Sequence, residues 1–263
     1  MSPLQVFTVV SASLLLLAVK NGAYGETKIT TKYSVNLGAD GQCLEHINAA
    51  RVAAGLSLLK QAPTGATEQR LPVKSDCDAD DTDTYKKWVW KPVCEALIPN
   101  VNSEHPIESA KGDVKFESGT YAFHPFHSEG VSCSAAVKQW KSAFTNFSGV
   151  PPPNKEGETA YTNQSNVSLV AMYNPSPNAT ADCRLVTCTQ SVTQDSEQPK
   201  TTAASALICL TTPDALPKDG TTAPFTEEQW GKIVSSIRNS ASTAVPSMVG
   251  LAAAILGFGI MVL

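Results

Sequence analysis

Cysteine is the residue type here whose chemistry is easiest to state. Seven occur: Cys43, Cys77, Cys94, Cys133, Cys183, Cys188 and Cys209. No two are spaced Cys-x2-Cys, the usual opening of a structural zinc site. In a chain that enters an oxidising compartment they form disulfides, with one left over. Any of the seven can be the odd one and six cysteines allow 15 connectivities, so the residues alone leave the pairing open. Two other groupings invite a metal. Asp76-Cys77-Asp78-Ala79-Asp80-Asp81-Thr82-Asp83 alternates carboxylates, but an EF-hand loop starting at Asp76 needs Gly at position 81 and Glu at position 87. Asp81 and Lys87 stand there instead. The stretch reads as a solvated acidic loop whose charge favours the N-terminus of a following helix. His124-Pro125-Phe126-His127-Ser128-Glu129 offers two imidazoles and a carboxylate, yet Pro125 and Gly130 put them on a turn, and they read as loop histidines. No strand–Gly-x-Ser-x-Gly–helix pattern occurs. We assign no catalytic residue, no metal and no cofactor.

Two kinds of modification chemistry are written more clearly. Asn146, Asn163, Asn166 and Asn178 each head an Asn-x-Ser/Thr acceptor for N-linked glycan. At the C-terminus, Met248 to Leu263 is apolar, and no charge follows Arg238. Those sixteen residues span roughly 24 Å as a helix, short of the roughly 30 Å hydrocarbon core. Upstream lie the small residues Asn239-Ser240-Ala241 and a short spacer through Thr243 and Pro246. Small residues, a spacer and a hydrophobic end make a GPI-attachment signal, cut off and replaced by lipid. The spacing favours Asn239 as the attachment residue, with Ser240 the alternative. The competing reading is a single-pass tail anchor. At the other end, Leu4 to Val19 is almost uninterrupted apolar sequence, and Ala23-Tyr24-Gly25 is a small-x-small cleavage site, although Met1 to Phe7 carry no Lys or Arg.

These ends divide the chain into a signal peptide over 1–25, an ectodomain over 26–225, a juxtamembrane amphipathic helix over 226–239 and a removed signal over 240–263. The body is long enough for a real core, so the disulfides reinforce rather than replace packing. The mild acidity of the full chain, net −4 at neutral pH, argues against nucleic-acid binding, which needs a basic face.

The elements that must hold these residues follow from spacing. Glu26 to Gly38 reads as an extended lead-in. Cys43, Ile47, Ala50 and Ala54 predict a helix over 41–54, with Gly55 as its stop. Lys60 to Lys74 reads as loop. Tyr85 to Leu97 reads as helix that Pro92 kinks or restarts, with Trp88 and Trp90 in the core. Val114 to Phe123 reads as strand. Cys133, Ala136, Val137, Trp140, Phe144 and Phe147 form one buried helical stripe, and Gly149 to Ser165 a Pro-rich loop. Val167 to Tyr173, Cys183 to Ser191 and Ala203 to Thr212 read as antiparallel strands. Thr226-Glu227-Glu228-Gln229 is a capping box opening a helix marked by Trp230, Ile233, Val234 and Ile237. Helices before and after the strands predict an α+β fold, a three-layer α/β/α sandwich around an antiparallel sheet, stabilised by disulfides.

Cys43-Leu44-Glu45-His46-Ile47-Asn48-Ala49-Ala50-Arg51-Val52-Ala53-Ala54-Gly55-Leu56 resembles the first helix of the CAP superfamily (antigen 5 and PR-1-like proteins), whose His-Asn-x-x-Arg-x-x-x-Gly stretch is interrupted here by Ile47. Ala136-Val137-Lys138-Gln139-Trp140 is similar to its Ala-Val-x-x-Trp helix. Cys183-Arg184-Leu185-Val186-Thr187-Cys188 and Cys209-Leu210-Thr211-Thr212-Pro213 are similar to its paired strands. That likeness implies a CAP-like fold and a Cys183–Cys209 bridge. It also implies an inactive site. The helix Glu is Ala143, and Ala160-Tyr161-Thr162-Asn163 lacks the His of the family's His-Tyr-Thr-Gln. With its signal peptide, cysteines and lipid signal, the chain resembles the GPI-anchored surface antigens of Eimeria-type coccidian parasites. The resemblance implies a non-enzymatic antigen on the outer face of the plasma membrane, attaching to a host-cell surface molecule and meeting host antibodies. The acidic 76–83 loop and the 150–165 loop are the expected contact regions. The alternatives are a lipid- or sterol-binding module of CAP type and a degenerate metal-dependent hydrolase using His127.

Overall fold

Two long runs rich in Thr, Val, Cys and Leu make the centre of the molecule. In the computed structural model, which describes residues 28–73, 75–99, 118–126, 130–195, 197–217 and 219–242, strand β5 (Thr180–Gln194) pairs antiparallel with β6 (Lys200–Thr212). Strand β1 (Ile29–Leu37) pairs antiparallel with β5 from Gln194 to Val186. The two-residue β2 (Lys60–Gln61) takes the start of β5 in parallel. Short β3 (Asp76–Asp78) lies outside β1, and β4 (Thr120–Phe126) outside β6. The sheet order is β3-β1-β5-β6-β4.

Strand alternation sends successive side chains of β6 to opposite faces. Leu207 and Cys209 enter one core, while Ala206, Ile208 and Leu210 enter the other. The first core lies under α1 (Leu44–Ala53), α4 (Cys133–Ser142), α5 (Gln164–Met172) and α6 (Glu227–Ser242). The second lies under α2 (Thr82–Lys87) and α3 (Lys91–Leu97), where Trp88, Trp90, Val93 and Leu97 are buried. The fold is α+β, an open antiparallel sheet with helices on both faces.

Short β2 and β3 lie inside stretches expected to be loop, and the sequence and the structure part company more widely at three further places. Val167 to Tyr173 is not a strand but most of α5. Leu169, Val170, Ala171, Met172 and Tyr173 are all buried, and a helix buried all round has no polar stripe to reveal its period. Its start is marked by Asn163, whose side chain accepts from the Ser165 N–H at 2.9 Å. The polar lead-in is a full strand of the sheet, with Tyr33 and Val35 buried between exposed Lys32, Ser34 and Asn36. His124-Pro125-Phe126 ends β4 rather than forming a turn, because an edge strand tolerates a proline that donates no hydrogen bond. Elsewhere local rules hold. Pro92 opens α3, and Thr226 and Gln229 cap α6 reciprocally: Thr226 N donates to Gln229 Oε1 at 2.9 Å, and Gln229 N to Thr226 Oγ1 at 3.2 Å.

The end of α1 is fastened by polar side chains. Asn48 accepts from Leu59 N (2.8 Å) and donates to Leu59 O (3.0 Å). Arg51 is fully buried, donating through Nε to Ser57 O at 2.8 Å and through Nη1 to Met172 O at 2.9 Å. Gly55, at φ +72, turns the chain out of the helix. Burial pulls the Arg51 guanidinium down to about 10, and the neighbouring Tyr173 works against that shift, so it stays charged at neutral pH. Its charge sits against the Ser57 carbonyl in the turn after α1 and against Met172 O at the C-terminal, negative end of α5. Replacing Arg51 with Ala leaves those carbonyls unpaired and a void beside Tyr173. Urea unfolding should show a loss of about 3 kcal/mol, whereas His46→Ala, on the exposed side of the same helix, should stay within about 0.5 kcal/mol.

Candidate functional site

The cysteines fall into three bridges that tie each core to the sheet or to itself. Cys43, just before α1, is bonded to Cys133 at the start of α4; Cys94 of α3 to Cys188 of β5; and Cys183 of β5 to Cys209 of β6. Cys77 in β3 is the free thiol and is buried. Burial first, then Asp81 and Asp78, push its pKa up, which keeps it protonated and a poor nucleophile.

The histidines do not gather. His46 is exposed on α1. His124 lies in β4, with Nδ1 against Gln139 Oε1 and its ring edge-on to Phe126 at 5.0 Å. His127 and Glu129 lie outside the described residues. Among the described residues no three His, Cys, Asp or Glu side chains could hold one metal ion. Ala143 is buried in the helix-rich core, where a carboxylate would be desolvated without a partner.

The acidic segment divides by strand alternation. Cys77 turns inward, while Asp76 and Asp78 point out. Asp81 caps α2, accepting from Thr84 N at 3.2 Å and Thr84 Oγ1 at 2.6 Å, bonds that lower its pKa. The outward residues join a patch that the register dictates: Lys32 stands opposite Asp78 and Ser191, and Ser34 opposite Asp76 and Thr189. These six, with Tyr33 and Cys77 at the base, line a shallow groove of about 370 Å³. Among the described residues no helix covers this face of the β3–β1 half of the sheet; α2 and α3 lie on the other face. Its chemistry is that of two carboxylates, an ammonium and three hydroxyls, suited to hydrogen bonding and charge recognition. The reading from sequence found the carboxylates and missed Lys32 and Ser34, although the alternation Lys32-Tyr33-Ser34-Val35 carries the period-two signal.

A larger cleft of about 550 Å³ is lined by Asn174, Asp214, Phe225, Gln229 and their neighbours, but its polar groups are engaged by the fold. Asn174 donates to Pro213 O at 2.7 Å and Thr211 Oγ1 at 3.3 Å, and accepts from Ser176 N at 3.1 Å. Asp214 accepts from Leu216 N at 3.0 Å and from the Thr120 hydroxyl. Nearby Asp219 accepts from Thr221 N, Thr222 N and Thr222 Oγ1, which hold its carboxyl down at about 2. The 150–165 segment is fastened too: Asn154 donates to Leu216 O at 3.2 Å, Ala160 N to Glu158 Oε1 at 2.7 Å, and Tyr161 Oη to Pro152 O.

Of the glycan acceptors, Asn146, Asn163 and Asn178 are exposed. Asn166 is buried, a correction to its expected place on the surface. Asn239 and Ser240 are exposed in the last turns of α6, where Ser240 Oγ donates to Ser236 O at 2.7 Å. The expected signal peptide over 1–25 and the apolar end from Met248 lie outside the described residues. Among the described residues no helix is long and apolar enough to cross a membrane.

Residues 39–252 match the family model of the sporozoite surface antigen (SAG) protein domain. The chain belongs to that family. It is also similar to the sporulated oocyst TA4 antigen of Eimeria tenella, 29% identical over 225 residues that cover 81% of this chain and 85% of the relative. No solved structure matches. The family found is the coccidian surface antigens, and the likeness to the CAP superfamily gains no support. Asn48, Arg51 and Gly55, which carry that likeness, are engaged in ending a helix.

Two outcomes follow from these bonds. The Cys43–Cys133 bridge closes a separation of 90 residues, so the Cys43→Ala/Cys133→Ala double variant should lose about 2–4 kcal/mol in denaturant unfolding. The folded Asp219 pKa lies below the ordinary carboxylate value, so its contribution is present above about pH 4 and is lost as pH falls toward 2. The melting temperature of Asp219→Asn should therefore fall less steeply than that of the parent over that range.

Proposed function

We propose that this surface antigen stands on the outer face of the parasite plasma membrane on a GPI lipid at Asn239, with Ser240 the alternative. There it attaches to host-cell surfaces, without catalytic turnover, and is exposed to host antibodies. What carries the tether is the junction at the end of α6. Trp230, Ile233 and Ile237 are packed into the body, and the small triplet Asn239-Ser240-Ala241 follows at once, ahead of the uncharged apolar end. The helix is docked to within two residues of the attachment site. No long linker then separates the body from the lipid.

What supports contact rather than turnover is the set of side chains on offer. The open half of the sheet presents Lys32, Ser34, Asp76, Asp78, Thr189 and Ser191, groups that recognise polar and charged partners. The 150–165 loop, held to the body through Asn154 and Gln164 and by bonds within itself, is the lesser contact.

Phosphatidylinositol-specific phospholipase C applied to intact cells should release the protein with an ethanolamine-linked glycan on Asn239 or Ser240. Retention of the chain with Leu263 still present would overturn the tether. The released protein should bind host epithelial cells above the level of an unrelated acidic protein. The Asp76→Asn/Asp78→Asn variant should bind several-fold less, and His46→Ala should match the parent. Equal binding by all of them removes the sheet face from the contact.

A further inference from the structure

The four Asn-x-Ser/Thr triplets look alike in sequence and differ in what the fold asks of their amides. N-linked transfer uses Nδ2: it attacks the anomeric carbon of a lipid-pyrophosphate oligosaccharide, the sugar–phosphate C–O bond breaks, one N–H proton is given up and the lipid pyrophosphate leaves. An asparagine can therefore carry glycan in the folded protein only if Nδ2 faces solvent.

Asn166 fails on every count. It is 4% exposed, its Nδ2 donates to Ala160 O at 2.8 Å, and its Oδ1 accepts from Asn146 Nδ2 at 2.7 Å. The hydroxyl residue of its triplet, Ser168, is also buried, accepting from Phe123 N at 3.0 Å and donating to Gln164 O at 2.8 Å. Both residues that make the triplet are thus structural. Asn146 is exposed as a residue, but the atom that would bear the sugar is the one turned onto buried Asn166.

Asn163 is the opposite case. It is exposed, and it caps α5 through Oδ1, which accepts from Ser165 N at 2.9 Å. Capping uses the oxygen and glycosylation the nitrogen, so one side chain can do both. Asn178 is exposed in the connection from α5 to β5; the backbone bond from Ala179 N to Ser176 O and the Thr180 hydroxyl, at 2.9 Å from Gln69 Oε1, fix the rest of its triplet without using its side chain.

We propose that the folded protein carries N-linked glycans on Asn163 and Asn178 and none on Asn146 or Asn166. The inference rests on the reading that the chain passes through the secretory lumen. The two sugars then flank α5, one at its start and one beyond its end, on the helix-rich side of the sheet. Lys32 and Ser34 point to that same side of the sheet, away from buried Tyr33 and Val35, and strands β1 and β3 carry none of the four acceptors.

The test is to express the full chain behind an independent secretory leader in cultured insect or mammalian cells. The disulfide-bonded, surface-delivered fraction is isolated, and its glycans are removed enzymatically in heavy-oxygen water. Site-resolved mass spectrometry should find the heavy-oxygen mark at Asn163 and Asn178, with Asn146 and Asn166 unmarked. Asn163→Asp, which keeps the cap, and Asn178→Asp should each remove one glycan step on a gel, whereas Ser148→Ala, which destroys the Asn146 triplet, should leave mobility unchanged. A mark at Asn146 or Asn166 in the folded fraction, or no mark at Asn163 or Asn178, overturns the assignment. Because the added leader secures entry to the lumen, a wrong pattern counts against this assignment. Failure of phospholipase release from parasite cells counts separately against the tether.

Discussion

The structure depends on one constraint: where Ala181–Cys183 of β5 pairs with Cys209–Thr211 of β6 the sheet is buried on both sides, so this stretch must satisfy two cores at once. Along β6 this gives the buried run Ala206 to Thr212, with alternate residues committed to opposite helix layers. A register slip of one residue would exchange every one of those commitments. The directly opposed pair Cys183 and Cys209 locks the register covalently from the helix-rich side, and Cys188 is bonded to α3 on the other. The two bridges of long separation, 90 and 94 residues, tie the start of α1 to the start of α4 and α3 to β5. In the chain-entropy picture each removes roughly 4–5 kcal/mol of unfolded-state freedom.

That constraint explains what could be read in advance and what could not. The α4 stripe was legible because Ala136, Val137 and Trp140 face the core while Lys138 and Gln139 face solvent, which leaves the helical period visible. The α6 cap was legible because Thr226 and Gln229 act on each other across three residues, a purely local matter. Val167 to Tyr173 was not legible as helix: once every side of an element is buried, the sequence keeps its hydrophobicity and loses its period. Strand β1 was half legible, since Tyr33 and Val35 alternate with polar residues over too short a span to stand out among threonines and lysines. Of the polar patch on the open sheet half, Asp76 and Asp78 could be picked out by type. That Lys32 and Ser34 stand beside them is a matter of pairing between segments far apart in the chain, and register is not written in either segment alone.

The same logic separates residues that look functional from residues free to be functional. Asn48, Arg51 and Gly55 look like a signature, yet their groups are consumed in ending α1. Asn174 and Asp214 line the larger cleft, yet their groups are consumed in holding the path from β6 to α6. A side chain whose hydrogen bonds are already made inside the protein cannot be redirected to a ligand without the cost of leaving its old partner unpaired, about 1–3 kcal/mol each. On the open sheet half, Asp78 accepts from Asp80 N at 3.0 Å, but this bond lies at the exposed surface, where water can take the place of a lost partner.

On the proposed reading, that patch also sets how attachment would work. Exposed carboxylates and hydroxyls on a shallow surface gain little each, because water and salt compete for them. A single molecule would therefore hold its partner weakly. A lipid tether changes the arithmetic by confining many copies to one membrane. Once a first contact forms, the next is an encounter at high effective concentration, and avidity can exceed single-site affinity by roughly 10²–10⁴ without any new contact. An α6 docked through Ile237, two residues short of the proposed attachment site, would keep the copies at a common height and limit their tilt, which favours simultaneous engagement. Weak polar sites on a stiff, two-dimensional array are then sufficient for cell attachment, and no deep pocket is needed.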